Sequence, residues 1–384
     1  MLPLPIPVPV LLGGVVALAG WAYLVLAIWR VARWQGRACA AATWRPGVSV
    51  LKPLCGAEAG LYDCLLSFCD QDYPELQLVL GVADADDPAV VVARRLIADR
   101  PERDIALVID ASQHGTNRKV SNLVNIERAA RHDILIVSDS DTIAGPDLIA
   151  KVVAPLACRK VGAVTCLYRG APTGGLCSQL GALFINDWFL PSAVVDAGMR
   201  DVAYCFGPVT AVRRDALEAI GGLGRLAFRL ADDFLLGRLI ARAGYRVVLS
   251  GELVDTVVAE NFASLIEHEL RWSRTVRTVK PGEHFMSCAM HPLPLFAALL
   301  WPYPAYGAAL IAVHLALRTA LHCLARRRFA IPGPARPWLL PLRECLVFAI
   351  WALSFASSNV RWRRRRFAIG RGGTLLAQEP GTVG

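Results

Sequence analysis

The sequence predicts an α/β domain with a mostly parallel sheet, held at a membrane by apolar helices at both ends. Three observations predict it. Short apolar runs alternate with helix-period segments through the middle of the chain, long uncharged blocks flank that middle, and acidic residues gather where the apolar runs stop. Of the 384 residues, 55% are hydrophobic and 19% charged. That balance is too apolar for an ordinary soluble domain.

The first block runs from Pro7 to Trp29, 23 residues without a charge, which is long enough to span a bilayer. Ala38-Cys39-Ala40 has the look of a signal-peptide cleavage site. However, nothing basic precedes the run, and it exceeds the apolar core of a signal peptide. A retained anchor over residues 1–36 is therefore expected. Arg30, Arg33 and Arg37 follow it, so the positive-inside rule puts the N-terminus outside and the next domain in the cytoplasm, at the inner membrane.

Residues 43–282 carry distributed charge, and their apolar runs are only four to eight residues long. About 240 residues suffice for one large core. Val48–Leu51, Leu78–Val82, Ile105–Ile109, Ile134–Val137 and Val161–Leu167 read as buried strands. Between them, Val90–Ala98 and Val120–Ala130 have helical spacing, and such alternation argues for a mostly parallel sheet.

The second block, His284 to Leu317, is too long for one helix, and Trp301-Pro302-Tyr303-Pro304 would break it. A hairpin of two short helices is expected, returning Arg326–Arg328 to the cytoplasm. A single kinked span followed by a further crossing is the alternative. Trp338–Val360 has arginines on both flanks and is expected to be re-entrant or to lie along the membrane. Residues 284–366 thus form a C-terminal membrane region, with a polar tail over 367–384. The net charge of +9 is concentrated in Arg326–Arg328 and Arg361–Arg366. Basic clusters beside apolar segments fit anionic lipid head groups, not nucleic acid. A transporter would need acids inside the apolar blocks, and only Glu344, next to Arg343, lies there. The eleven cysteines form no Cys-x-x-Cys pair and no zinc spacing. They read as reduced core residues.

Chemistry is concentrated at the strand ends. Ile134–Ser138 delivers Asp139 and Asp141, which share a side of the strand. Two convergent carboxylates suit a hard divalent cation that also holds phosphate oxygens. Turn chemistry or a helix cap is the competing reading. After Leu78–Val82 come Asp84, Asp86 and Asp87. Asp87 before Pro88 is expected to cap a helix, leaving Asp84 and Asp86 to bind a sugar or base. Asp232-Asp233 opens the amphipathic stretch Phe234–Ala243. There Asp232 is expected to cap and Asp233, in the first turn, to stay ionised as a general base. Arg271-Trp272 lies on a basic helical segment with Arg274 and Arg277. Arginine there suits phosphate, while snorkelling at an interface is the simpler reading.

In this order the residues resemble the D, D, D, (Q/R)xxRW series of processive and lipid-modifying inverting glycosyltransferases. Within that group the chain is most similar to the ceramide glucosyltransferase family and its bacterial relative, the hopanoid-biosynthesis glycosyltransferase. The phrases that carry this are Val48–Leu54, Asp72-Tyr73-Pro74, Asp86–Ala89, Asn117–Leu123, Arg213–Leu217 with Gly221-Gly222, and the tail Arg361-Trp362 to Thr374. Two departures stand out. His268 occupies the first position of the box, so its partner is open, and both Asp139 and Asp141 are present. The resemblance implies a GT-A fold. It places Lys52, Pro53 and Asp84 at a uridine, Asn117 and Lys119 near the nucleotide, and Mg²⁺ or Mn²⁺ on Asp139 and Asp141. Asp233 would be the base, and Arg271 with Trp272 would close over diphosphate and acceptor. The implied reaction moves glucose or N-acetylglucosamine from a UDP-sugar to a membrane lipid such as ceramide or a hopanoid polyol. A polyprenyl-phosphate sugar transferase and a non-catalytic nucleotide-binding scaffold are the alternatives.

Overall fold

The computed structural model describes residues 7–35, 44–259, 261–362 and 365–377. Arg37, Ala38-Cys39-Ala40, Thr43 and the tail beyond 377 lie outside the described residues, as do the side chains of 361–366. The chain forms two compact units that interleave along the sequence. A sheet unit takes Gln35–Gly175, Arg200–Ala259 and Ala368–Gly384, and an apolar unit takes Met1–Trp34, Leu176–Met199 and Glu260–Phe367. This division interleaves segments where contiguous ones over 43–282 and 367–384 are expected from the sequence. Residues 176–199 and 260–282 pack with the apolar unit, although their polar residues make them look soluble. The tail packs with the sheet unit because it bonds there through its backbone.

The main sheet of this unit has eight strands: β1 Val48–Pro53, β2 Leu76–Val82, β3 Asp104–Ile109, β4 Ile134–Ser138, β5 Thr142–Ile143, β6 Val161–Pro172, β7 Val209–Arg213 and β8 Arg246–Val258. Their order is β3-β2-β1-β4-β7-β6-β8-β5. From β3 to β4 every pairing is parallel, as the apolar runs predict. Beyond β4 the sheet is mixed: β7 is antiparallel to both neighbours, β6 and β8 are parallel, and β5 is antiparallel to β8. The helices Leu61–Cys69, Pro88–Asp99 and Arg118–Glu127 provide the connections between the parallel strands. Leu123 and Ile126 of the last meet Leu51, Val79 and Leu135 of the strands in the core.

Local chemistry sets the helix starts. Asp87 caps Pro88–Asp99 as expected, its Oδ1 accepting from the Ala89 N–H at 2.8 Å. Asn117 caps Arg118–Glu127 through the Val120 N–H. The helix Asp232–Arg242 departs from expectation. Its N-cap is Ala231 and it has no capping side chain, so Asp232 and Asp233 both fall in the first turn.

In the apolar unit, Val8–Ala32, Pro304–Arg328 and Pro337–Ser354 are long and apolar enough to cross a membrane, three such helices among the described residues. The first two run parallel. Tyr306 Oη donates to the Val10 carbonyl at 3.0 Å near their N-terminal ends, and Arg328 bonds the Ala32 carbonyl at the other. The turn before Pro304 forms as expected, but the arm before it does not become a second short span. It breaks into Pro281–Met286, a 3₁₀ turn Ser287–Met290 and Leu293–Ala298. Pro292 and Pro294 interrupt it, and six residues of helix reach only about 9 Å. Ala289 packs against Gly20 and Leu299 against Gly13, so the broken arm descends alongside the first helix.

Backbone groups freed by these breaks find charged partners. Arg318, 2% exposed, donates to the Met290 carbonyl at 2.7 Å and lies 3.4 Å from Glu344. Glu344 accepts from the Leu293 N–H at 3.3 Å and pairs with His314. A π-helical turn at Ile185–Phe189 buries Asp187 against His322 at 2.9 Å, and the Asp187 carbonyl accepts from Arg318. Non-helical backbone at membrane depth is tolerated where protein groups satisfy it. Glu344 is therefore structural, closed by the Leu293 N–H, His314 and Arg318.

Candidate active site

Parallel pairing brings the acids together. The register aligns Leu51 with Val137 and Lys52 with Leu80, so β1, β2 and β4 all end at one edge. Ligands of open α/β sheets bind beyond the carboxyl ends of the strands. Antiparallel β7 starts at the same edge, and the Pro208 carbonyl just before it accepts from the Asp139 N–H at 3.2 Å. Gly207 leaves the opening. A Cβ there would lie 3.1 Å from Asp139 Oδ2 and 3.3 Å from Asp233 Oδ2, so any other residue would crowd the carboxylates.

Lys119 Nζ stands 2.5 Å from Asp139 Oδ1 and 3.8 Å from Asp232 Oδ2. Burial alone would lower its pKa, but Asp139, Asp232 and Asp233 outweigh burial and hold it above the usual lysine value. Lys52 is fully buried, donates to the Asp139 main-chain carbonyl at 2.8 Å and stacks on Phe68. Burial brings its pKa down to about 8. Pro53 ends β1 in the same buried row. Asp233 takes the Phe234 N–H at 2.7 Å. Burial and then the neighbouring Asp232 push its pKa up to about 7. Asp232, Asp233, Lys119 and Gly207 line one cavity over Leu123 and Leu236.

Asp141 Oδ1 is buried and has no hydrogen-bond partner. Burial, then Asp139 and Glu58, raise the Asp141 pKa to about 7. No group of three or more His, Cys, Asp or Glu gathers among the described residues. The donors are thus two carboxylates with one oxygen left open. This set fits a hard cation that completes its shell with phosphate oxygens or water.

Asn117 reaches the same acidic cluster, its Nδ2 lying 3.5 Å from Asp232 Oδ1. Asn117 is fully buried, and its amide is spent inside the chain, on the Val120 N–H and the Arg229 carbonyl (2.8 Å). Asp84 and Asp86 are exposed at the end of β2, where Asp84 Oδ1 accepts from the Asp86 N–H at 3.0 Å. Arg271 and Trp272 lie on Phe262–Val279 of the apolar unit. The Trp272 ring meets Phe184 at 5.9 Å and His268 at 4.2 Å. That ring contact gives His268 a partner. On the same helix Glu269 makes a two-bonded pair with Arg343, at 2.7 and 2.5 Å.

Two site residues went unread in the sequence, Gly207 and Glu58, and Asp232 was read there only as a cap. Glu58 accepts from Ser140 Oγ at 2.9 Å across 82 residues. Its only sequence mark is an acid in the loop after β1.

Fold and site together define a GT-A type α/β domain with an acidic cluster at the carboxyl edge of its sheet. The chain belongs to glycosyl transferase family 21, whose sequence model matches residues 12–375. It is 26% identical over 206 residues to ceramide glucosyltransferase 1 of Caenorhabditis elegans, which covers 53% of this chain and 44% of that protein. It is also 23% identical over 242 residues to an N-acetylglucosaminyltransferase of Azorhizobium caulinodans, which covers 60% of this chain and 59% of that one. The match therefore spans about half the length of these relatives. A mannosyltransferase from Pyrobaculum calidifontis, solved with GDP-Man and Mn²⁺, superposes with a TM-score of 0.55 at 20% identity, over 91% of this chain and 97% of that one. This last likeness speaks for the fold alone.

Proposed function

We propose that this chain is an inverting, membrane-held glycosyltransferase that moves a hexose, glucose or N-acetylglucosamine, from a UDP-sugar to the hydroxyl of a membrane lipid such as ceramide or a hopanoid polyol. One observation carries the reading. Asp233, Lys119, Asp139 and the open Asp141 converge at one sheet edge, in a chain that also holds three helices able to cross a membrane. Glucose and ceramide follow the name of the Caenorhabditis elegans relative and N-acetylglucosamine that of the Azorhizobium caulinodans one, while the hopanoid polyol follows the sequence resemblance.

In this reading Asp233 takes the proton of the acceptor hydroxyl while that oxygen attacks the anomeric carbon. A base whose pKa sits near ambient pH is well matched to the task. The bond from that carbon to the diphosphate breaks in the same displacement, which inverts the centre. Lys119 stabilises the departing diphosphate by charge, and Lys52 holds Asp139 in place from behind. Asp139 and Asp141 would hold Mg²⁺ or Mn²⁺, which supplies charge neutralisation at the diphosphate. Arg271 and Trp272 serve the diphosphate and the acceptor. Asp84, Asp86 and Pro53 serve the base or sugar, and Asn117 acts by positioning. The catalytic domain faces the cytoplasm, with the Arg326–Arg328 end of the second long helix on that side.

The test is a transfer assay in membranes with each UDP-sugar in turn, read by mass spectrometry of the lipids. A hexose on a lipid hydroxyl with the anomeric centre inverted is expected. Chelation should stop the reaction and Mg²⁺ or Mn²⁺ restore it, whereas Asp141→Ala should blunt that response. Full activity in excess chelator would remove the metal from this account.

A further inference from the structure

The loop Ala227–Ala231 leads directly into Asp232 and Asp233, and the helix it enters has no capping side chain. Something else must fix where that helix begins. Four consecutive residues of the loop are bonded on alternating sides. The Ala227 carbonyl accepts from the Asn117 N–H at 2.8 Å and the Arg229 carbonyl from Asn117 Nδ2 at 2.8 Å. On the other side, the Phe228 carbonyl accepts from the Leu375 N–H at 2.8 Å, and the Leu230 N–H donates to the Gly373 carbonyl at 3.0 Å.

The C-terminal tail thus lies against the loop like one short antiparallel bridge, Arg229 opposite Thr374. Side chains lock it there. Arg229 Nη1 donates to Thr374 Oγ1 at 2.7 Å and to the Gly372 carbonyl at 3.0 Å. Thr116 Oγ1 donates to the Leu375 carbonyl at 2.9 Å, and Leu375 is buried to 1% exposure. The turn that presents these groups has Gly372 at φ 68° and Gly373 at φ 79°, where any side chain would be strained.

We propose that residues 372–375 form a positioning clasp for the base-bearing loop, with Arg229 and Thr374 as its positioning residues. The inference rests on the reading of Asp233 as the base. Neither residue contacts the reacting atoms. They fix the height and direction at which Asp233 enters the site, and displacement by about 1 Å can cost on the order of 10²-fold in rate.

The experiment uses the full chain in membranes, with Arg229→Ala, Thr374→Val and the double variant. The turnover rate should drop at least about tenfold in each while the KM for the UDP-sugar stays within about twofold, because the loop sets the base and not the donor site. The double variant should be no worse than the weaker single, as expected for two ends of one contact. Arg229→Lys and Thr374→Ser should recover part of the rate. Unchanged turnover in both single variants overturns the clasp. So does loss of donor binding or of folded protein in both, which would make the contact merely structural. Asp233→Asn run alongside separates the two ideas. If it stays active the base reading falls, and if it is dead while the clasp variants turn over normally, only the clasp falls.

Discussion

Both units bury charge, and they use it in opposite ways. In the apolar unit Glu344 is filled by His314, Arg318 and the Leu293 N–H, and Glu269 is filled by Arg343. In the sheet unit Asp141 keeps a buried oxygen unpartnered, and burial followed by the neighbouring Asp232 pushes the Asp233 pKa up to about 7. A closed pair holds structure together. An open one stores unfavourable electrostatics that a substrate or cation can relieve. The comparison separates charges that are closed within the fold from charges that the proposed function assigns to chemistry, and it can be broken at either side.

The largest expected effect lies in the sheet unit. Asp233→Asn should lower transfer by roughly 10²–10⁴-fold, the usual worth of a positioned base, while UDP-sugar binding and the thermal unfolding midpoint hold steady. A matching fall in that midpoint would place Asp233 with the structural charges instead. On the other side, Arg318→Met should cost about 3–5 kcal/mol of stability by leaving Glu344 buried without its cation. Thermal unfolding in detergent reads this, and an unshifted midpoint would show that the apolar unit's charges are not closed. Sharpening comes from pH. An acid whose pKa is raised is neutral below it, so turnover should fall about tenfold per pH unit below about 7 as Asp233 loses its basic form. A profile flat down to pH 5 would contradict that position for the base. The smallest effect on activity belongs to Trp301→Cys. Trp301 is 95% exposed at the turn before Pro304, so turnover should be unchanged. Labelling by an impermeant reagent from outside intact cells should succeed, and failure would reverse the arrangement of the long helices.

Where the sequence could be read, the reason is that pattern and burial coincide. β1 to β4 are short, mostly apolar runs with helices between them, and all four formed within a few residues of expectation. β3, expected to be buried, is half-buried and ends on the exposed Ile109. β7 and β8 escaped notice. Val209–Arg213 is only five residues beside Pro208, and Arg246–Val258 carries Gly251, Glu252 and Asp255 along half-buried positions. The acids at strand ends were legible because a carboxylate after an apolar run is surplus to folding. Asp232 was misread as a cap because its bond to Asn117 at 3.5 Å and its approach to Lys119 come from residues more than a hundred positions away. The broken arm before Pro304 was read as a regular helix for a related reason. Hydropathy registers Met290 and Leu293 as apolar, and it is silent about the Arg318 and Glu344 groups that let their backbone leave the helix.

The clasp also has a consequence in time. Residues 372–375 leave the ribosome after all of β1 to β8, and after the three long apolar helices of the described residues. A chain still being translated can pair its strands and gather Lys119 around the acids, but the loop before Asp232 lacks half its bonds until residues 372–375 have emerged. Ordering of that loop in this way follows the emergence of the long apolar helices. Under the proposed function, a nascent chain would meet the bilayer before it could consume nucleotide sugar in solution.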